Sequence, residues 1–262
     1  MKIPYFTALW LGGALLASAE TKPAQAKPAA ASAPAAAATQ QAPNQLAPNQ
    51  QAFLNLPQER REQFVKHLQE ASRLFRDRRI FETLGELDQA DLIFKDSPET
   101  LNLRGSCYVE FRSFDKAMEA FRAAEKLSPG NPSVLFNISE VLFVTRQWKQ
   151  ADEALGQVLK LLPKQRDNSF ARLIEFKILL CKLRLNQKDQ AKALADKYDY
   201  LEDDSPYYYY AHAALAYEEH NTLKAEEWQG IANRVFRDPS VTAPWQDTMV
   251  EYGYVKGFYG EE

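Results

Sequence analysis

The chain has 262 residues, 45% of them hydrophobic and 26% charged, ample for one sizeable core. Its net charge of −3 gives no electrostatic footprint for nucleic acid as a general partner. With only 10 glycines and no long apolar–polar alternation before the last few residues, a mainly β chain is excluded and an all-α one is predicted.

The first residues read as an export leader. Lys2 is a minimal positive start, Ile3 to Leu16 is mostly apolar, and Ala17-Ser18-Ala19 has the small-x-small pattern that signal peptidase accepts, so residues 1–19 are expected to be removed before Glu20. The apolar run is short for a membrane span and is interrupted by Pro4 and Gly12-Gly13. An uncleaved anchor is the rival reading, and a membrane contact follows only from it. The predicted location is periplasmic or otherwise extracytoplasmic. Residues 20–52 are almost entirely Ala, Pro, Gln, Lys and Asn, with prolines at 23, 28, 34, 43 and 48. Such a segment buries too little to offset its ordering entropy and reads as a disordered linker.

From Phe53 the composition changes, and apolar residues recur at helical spacing over residues 53–241. Ser97-Pro98 and Asn131-Pro132 begin the same pattern 34 residues apart, and Ser205-Pro206 begins it again 74 residues later. Each pair is an N-cap type followed by Pro at the first helical position, where the missing N–H orphans nothing. Counting from Pro98, small residues stand at positions 8, 20 and 27 (Gly105, Ala117, Ala124), large ones at 11, 17 and 24 (Tyr108, Phe114, Phe121), and Pro129 at 32. The repeat from Pro132 offers Leu135, Ser139, Leu142, Trp148, Ala151, Leu155, Val158 and Pro163. Weaker copies carry Ala71, Leu74, Ile80, Thr83, Leu87 and Ala90 upstream, then Leu179, Ala191 and Ala195, then Ala213, Ala225 and Ala232. Six extra residues fall around Lys164 to Phe170. Thr242-Ala243-Pro244 looks like a fresh helix start, so residues 242–262 are read as a capping helix, Trp245 to Tyr252, and a Tyr/Gly-rich tail.

This pattern closely resembles the tetratricopeptide repeat. The resemblance covers roughly residues 64–239 and implies a right-handed α-solenoid of about five helix-turn-helix units. It also implies a non-catalytic scaffold that binds a protein or peptide, within a cell-envelope assembly if the leader acts as read. In that family the concave groove is lined by positions 2, 5, 9, 12 and 13 of each first helix. Carried over, these include Asn102, Ser106, Val109 and Glu110 of the second repeat and Phe136, Glu140 and Phe143 of the third. The fourth adds Phe176, Leu180 and Arg184, and the fifth Tyr207, Tyr210 and Tyr217. Family members that grip acidic C-termini need a cluster of Lys, Arg and Asn. This lining has only Asn102 and Arg184 of that kind, so an apolar or aromatic segment is the expected ligand.

Two competing readings bear on that groove. Aromatics at helical spacing are often core, and the Tyr252, Tyr254, Phe258 and Tyr259 tail could fold back into the concave face. The Tyr207–Tyr210 run, with Tyr217 on the same face, also suggests a glycan platform as the alternative function.

Nothing in the chain reads as catalysis, a cofactor site or a metal site. His67, His212 and His220 form no HExxH, and there is no GxSxG, P-loop or GxGxxG. Cys107 and Cys181 fall at position 10 of repeats two apart, about 20 Å at the usual helix spacing, so two free buried thiols are expected.

Overall fold

The structure, a computed structural model, describes residues 46–163, 169–201 and 203–256. Those residues form twelve helices and no strand. The leader 1–19 and most of the predicted linker lie outside them. No described helix is long and apolar enough to cross a membrane.

Five antiparallel pairs make the array: α2 (Gln58–Arg76) with α3 (Ile80–Ile93), α4 (Pro98–Glu110) with α5 (Phe114–Leu127), α6 (Pro132–Val144) with α7 (Trp148–Leu161), α8 (Ser169–Arg184) with α9 (Lys188–Ala195), and α10 (Tyr207–Glu218) with α11 (Thr222–Val235). A short α1 (Pro48–Leu54) precedes them and α12 (Pro239–Tyr252) follows. The expected caps are present. Ser97 Oγ accepts from Thr100 N–H at 3.2 Å, and Asn131 Oδ1 accepts from Ser133 N–H at 3.0 Å. At the fifth repeat Pro206 itself is the N-cap, and Ser205 Oγ accepts from Tyr207 N–H at 3.3 Å.

Within each pair the turn is built the same way. Arg78, Arg112, Arg146, Asn186 and His220 occupy position 15 of the five repeats, and each has positive φ, between 56° and 63°. The residue after each donates its N–H to the carbonyl five residues back: Arg79 to Leu74, Ser113 to Tyr108, Gln147 to Leu142, Gln187 to Lys182 and Asn221 to Ala216. This is the Schellman closure, which satisfies helix-end carbonyls through one left-handed residue. Five copies of it in one register establish the repeat more firmly than the apolar positions do.

Three boundaries differ from the sequence reading. α1 starts at Pro48, inside the stretch read as linker, because the Phe53 ring packs edge-on against Phe64 and Phe94 at 5.2 and 5.4 Å. Ser169 and Phe170, expected in the turn before the fourth repeat, already belong to α8; residues 164–168 lie outside the described residues. α12 starts at Pro239, not Thr242, because Asp238 caps it by accepting from Ser240 N–H at 2.9 Å.

α9 has 8 residues where the other second helices have 14. Position 27 explains it. Ala90, Ala124, Val158 and Ala232 fill that place elsewhere, each fully buried where two helices approach. The fourth repeat has Tyr198 there, too large for the gap, and the helix stops before it. The Tyr198 ring instead lies edge-on to Tyr207 under the Arg172 guanidinium, and its hydroxyl donates to Glu175 Oε1 at 3.1 Å.

Candidate functional site

α8 carries the clearest sign of what covers the groove. Nine consecutive residues, Leu173 to Cys181, are all buried. A helix with one solvent face cannot do this; it must be covered on both sides. α6 behaves likewise, with Val134 to Phe143 buried. On one side the covering helices are their own neighbours in the array. On the other side, over the face predicted to be the concave groove, lies α12.

α12 presents Thr242, Trp245, Thr248, Met249 and Tyr252 along one buried stripe at the spacing of an amphipathic helix. The Trp245 ring sits among Phe176, Tyr210 and Tyr207, at 5.5, 5.8 and 6.3 Å between centroids. One heptad on, Tyr252 packs against Trp148 at 5.5 Å and stacks on Phe143 at 6.2 Å. Its hydroxyl donates to Leu180 O at 2.9 Å. Arg184 places its guanidinium 4.2 Å from the Tyr252 ring centre and donates to the Tyr252 carbonyl at 3.2 Å. Beyond Gly253, whose φ of 96° turns the chain, Tyr254 stacks on Tyr217 at 4.9 Å and donates to Glu218 at 2.5 Å.

A buried charge network lies beneath. Lys177 Nζ donates to Glu140 Oε2 at 2.9 Å and to Glu251 Oε2 of α12 at 3.1 Å, 4.6 Å from the centre of the Phe143 ring. Burial by itself would pull the Lys177 ammonium down, but Glu140 and Glu251 overcome it and hold the group charged. Burial pushes the Glu140 carboxyl up to about 7 despite Lys177, with Glu251 adding to the rise. Burial and the nearby Glu251 also push Asp247 up to about 6, against the pull of Lys177 and Arg78. Glu140 Oε1 and Asp247 Oδ2 are buried and have no hydrogen-bond partner among the described residues.

The predicted groove residues therefore divide. α12 and the residues after it draw together Glu140, Phe143, Phe176, Leu180, Arg184, Tyr207, Tyr210 and Tyr217. Of the others, Asn102 and Glu110 join repeats, since Asn137 Nδ2 donates to Asn102 Oδ1 at 3.0 Å and Arg78 donates to Glu110 at 2.6 Å, while Ser106 Oγ donates within α4 to Asn102 O at 3.2 Å. Phe136 packs on Phe170 at 4.8 Å, and Val109 is buried. Of the two readings of the apolar groove, the one in which the chain folds back on it describes these residues. The chain's own C-terminal segment covers it, through the helix as well as Tyr252 and Tyr254; Phe258 and Tyr259 lie outside the described residues. Tyr207 and Tyr210 are fully buried, and Tyr207 donates to Leu194 O at 2.8 Å, so this face offers a glycan no open tyrosine platform. Sequence reasoning missed Lys177, Glu251 and Asp247. The available signal was the lone Glu175 and Lys177 inside the apolar run of α8, too apolar all round to have a solvated face.

Cys107 and Cys181 are free and buried, and burial pushes both thiols up to about 12. Among the described residues no three His, Cys, Asp or Glu side chains form a group that could hold a metal ion.

No family model matches the chain, and no curated protein matches it. Solved structures do. The pilF protein of Pseudomonas aeruginosa superposes with a TM-score of 0.53 at 17% identity, over 75% of this chain and 94% of that one. A thermophilic tetratricopeptide-repeat protein of Thermus thermophilus gives 0.51 at 16% identity, over 71% and 99%. YrrB, a tetratricopeptide-repeat protein with an unusual peptide-binding site, gives 0.50 at 20% identity, over 72% and 95%. Together with the five-fold register of turns, these likenesses establish that the chain has the tetratricopeptide-repeat fold.

Proposed function

We propose that this chain is a non-catalytic, protein-binding scaffold that works in the cell envelope and receives its partner on the concave face. The observation that carries the reading is the helix seated there: the first helices of repeats three to five present aromatic seats and a buried ammonium, and an amphipathic helix fits them. The peptide-binding site named for YrrB supports the same use of the fold. The apolar and aromatic character of the seats supports an apolar or aromatic partner segment. The leader-like residues 1–19 support an extracytoplasmic place of work.

The test has two parts. Mass spectrometry of the protein recovered from its native host reports the mature N-terminus, and a chain beginning at Glu20 in the extracytoplasmic fraction is the expected result. Affinity capture from that fraction then compares the full chain with Phe143→Ala/Phe176→Ala. A discrete protein retained by the first and lost by the second is expected. A cytoplasmic chain that keeps its leader sequence, or a partner retained equally by both baits, refutes the reading.

A further inference from the structure

The seat beneath α12 describes its ligand in some detail, and α12 fits it imperfectly. Trp245 and Tyr252 fill two aromatic seats one heptad apart, and Glu251 meets Lys177 between α8 and α6. Two carboxylates, Glu140 and Glu251, already meet that one ammonium, and Asp247 adds a third negative charge nearby that feels Glu251, Lys177 and Arg78. Asp247 and Glu251 are like charges one turn apart, an arrangement that destabilises a helix. Asp247 Oδ2 and Glu140 Oε1 remain buried without hydrogen-bond partners among the described residues. Pro244 inside α12 removes the N–H that would bond to the Ser240 carbonyl and weakens the helix at its middle. α12 is joined to α11 only by Phe236, Arg237 and Asp238, and it is the last helix described. α12 belongs to none of the five helix pairs, so its leaving uncovers their concave face but breaks no pair.

Resting on the scaffold reading above, we propose that α12 is a resident stand-in for the ligand. The partner would be an amphipathic helix with an aromatic residue, an acidic residue six positions on and a second aromatic at the seventh, which takes the place of α12. It would carry a neutral residue where α12 has Asp247, which removes the like charge one turn from Glu251 and the buried oxygen left without a hydrogen-bond partner among the described residues. Docked α12 is then a competitor that sets the threshold for binding, since a site available only a fraction of the time lowers apparent affinity by that fraction.

The test uses the full chain and a fluorescently labelled peptide of residues 238–256. Trp245→Ala/Tyr252→Ala in the full chain empties both aromatic seats while leaving the seat residues intact. Anisotropy titration is expected to show the peptide binding this variant at least about tenfold more tightly than the unaltered chain. Glu251→Gln in the peptide should weaken that binding about tenfold, and Asp247→Asn should strengthen it. A second form keeps every seat and every α12 side chain: a protease site inserted between Arg237 and Asp238 is cut, and labelled peptide is added. Exchange of peptide for α12 with helicity unchanged is expected. No binding to a variant that retains its circular dichroism and a cooperative melt overturns the proposal, as does a cut chain that never exchanges. If an envelope partner is captured equally by the unaltered chain and by Trp245→Ala/Tyr252→Ala, the scaffold reading stands and this proposal falls. If peptide exchanges but the envelope yields no partner, the helix seat stands and the scaffold reading falls.

Discussion

Replacing Gly105 by Ala should destabilise the array, although helix propensity argues the other way. Gly105 is mid-helix in α4, where Ala ordinarily stabilises by about 1 kcal/mol. A Cβ built there would lie 2.4, 2.6 and 2.9 Å from three carbons of the Phe121 ring. Contact between carbons is comfortable near 3.5 Å or beyond, so the ring must move by roughly 1 Å. It has little room, being only 1% exposed and packed in the main core cluster. Overpacking of this kind costs about 1–3 kcal/mol, and a clash with three atoms of a fixed ring belongs in the upper half of that range. The net expectation is a loss of about 1–2 kcal/mol, or a fall in Tm of about 2–8 °C for a domain this size. Gly156→Ala is the matched control: it too is mid-helix, but nothing lies within 4 Å of its added Cβ. It should gain about 0.5–1 kcal/mol. Thermal and urea denaturation of both variants, of Phe121→Leu alone and of Phe121→Leu added to Gly105→Ala completes the cycle. The double change should recover part of the loss, a coupling of about 1 kcal/mol. A Gly105→Ala chain as stable as Gly156→Ala would refute the close packing of α4 on α5.

Three further outcomes are expected. Arg146→Gly, at the left-handed position with φ of 63°, should raise stability by up to about 1 kcal/mol, read as a higher urea midpoint, because relief of left-handed strain exceeds the entropy of the added glycine. Cys107 and Cys181, buried with thiols pushed up to about 12, should resist a water-soluble thiol reagent at pH 8 in the native chain and react only on unfolding; prompt native labelling would contradict their burial. The third concerns pH. Glu140, raised to about 7, and Asp247, raised to about 6, bind protons more readily in the folded chain than in the unfolded one. The stability these two groups contribute should therefore be fully present below their ordinary values, 4.5 for Glu140 and 3.8 for Asp247, and be lost as pH rises through about 6 and 7. The carboxylates held below their ordinary value, Glu70, Glu82 and Asp238, act at lower pH than this window. Half-buried His212, whose pKa burial lowers, acts in the same window with the opposite sign, so the test is a difference: the urea midpoint of the unaltered chain minus that of Glu140→Gln should be larger near pH 5.5 than near pH 8, and a difference that does not fall with pH would refute the assignment.

The array was legible because each of its parts has a local cause. N-cap residues before Pro98 and Pro132 start helices by satisfying their own backbone, and the 34-residue spacing follows from two helices and two turns. The early end of α9 is legible too, since Tyr198 stands where every other repeat has a small or β-branched residue. The site was half legible. Carrying groove positions over from the repeat's resemblance picked out seven residues that α12 and its tail contact, and Glu140, which α12 reaches through Lys177, but left open whether that face was covered. Periodicity in α12 places Trp245, Met249 and Tyr252 on one stripe; it does not say which surface receives the stripe, because that depends on how five repeats stack. Lys177 and Glu175 escaped notice for a related reason. On an amphipathic helix a lysine belongs to the wet face, and the rule fails where no wet face exists. α8 was that case in the sequence itself, with apolar residues on every side of Glu175 and Lys177 from Leu173 to Cys181. A first helix apolar all round cannot line an open groove, and any charge it carries must find a buried partner. For α6 and α8 that requires both a covering element and an acidic residue on it to meet Lys177, and α12 with Glu251 supplies them.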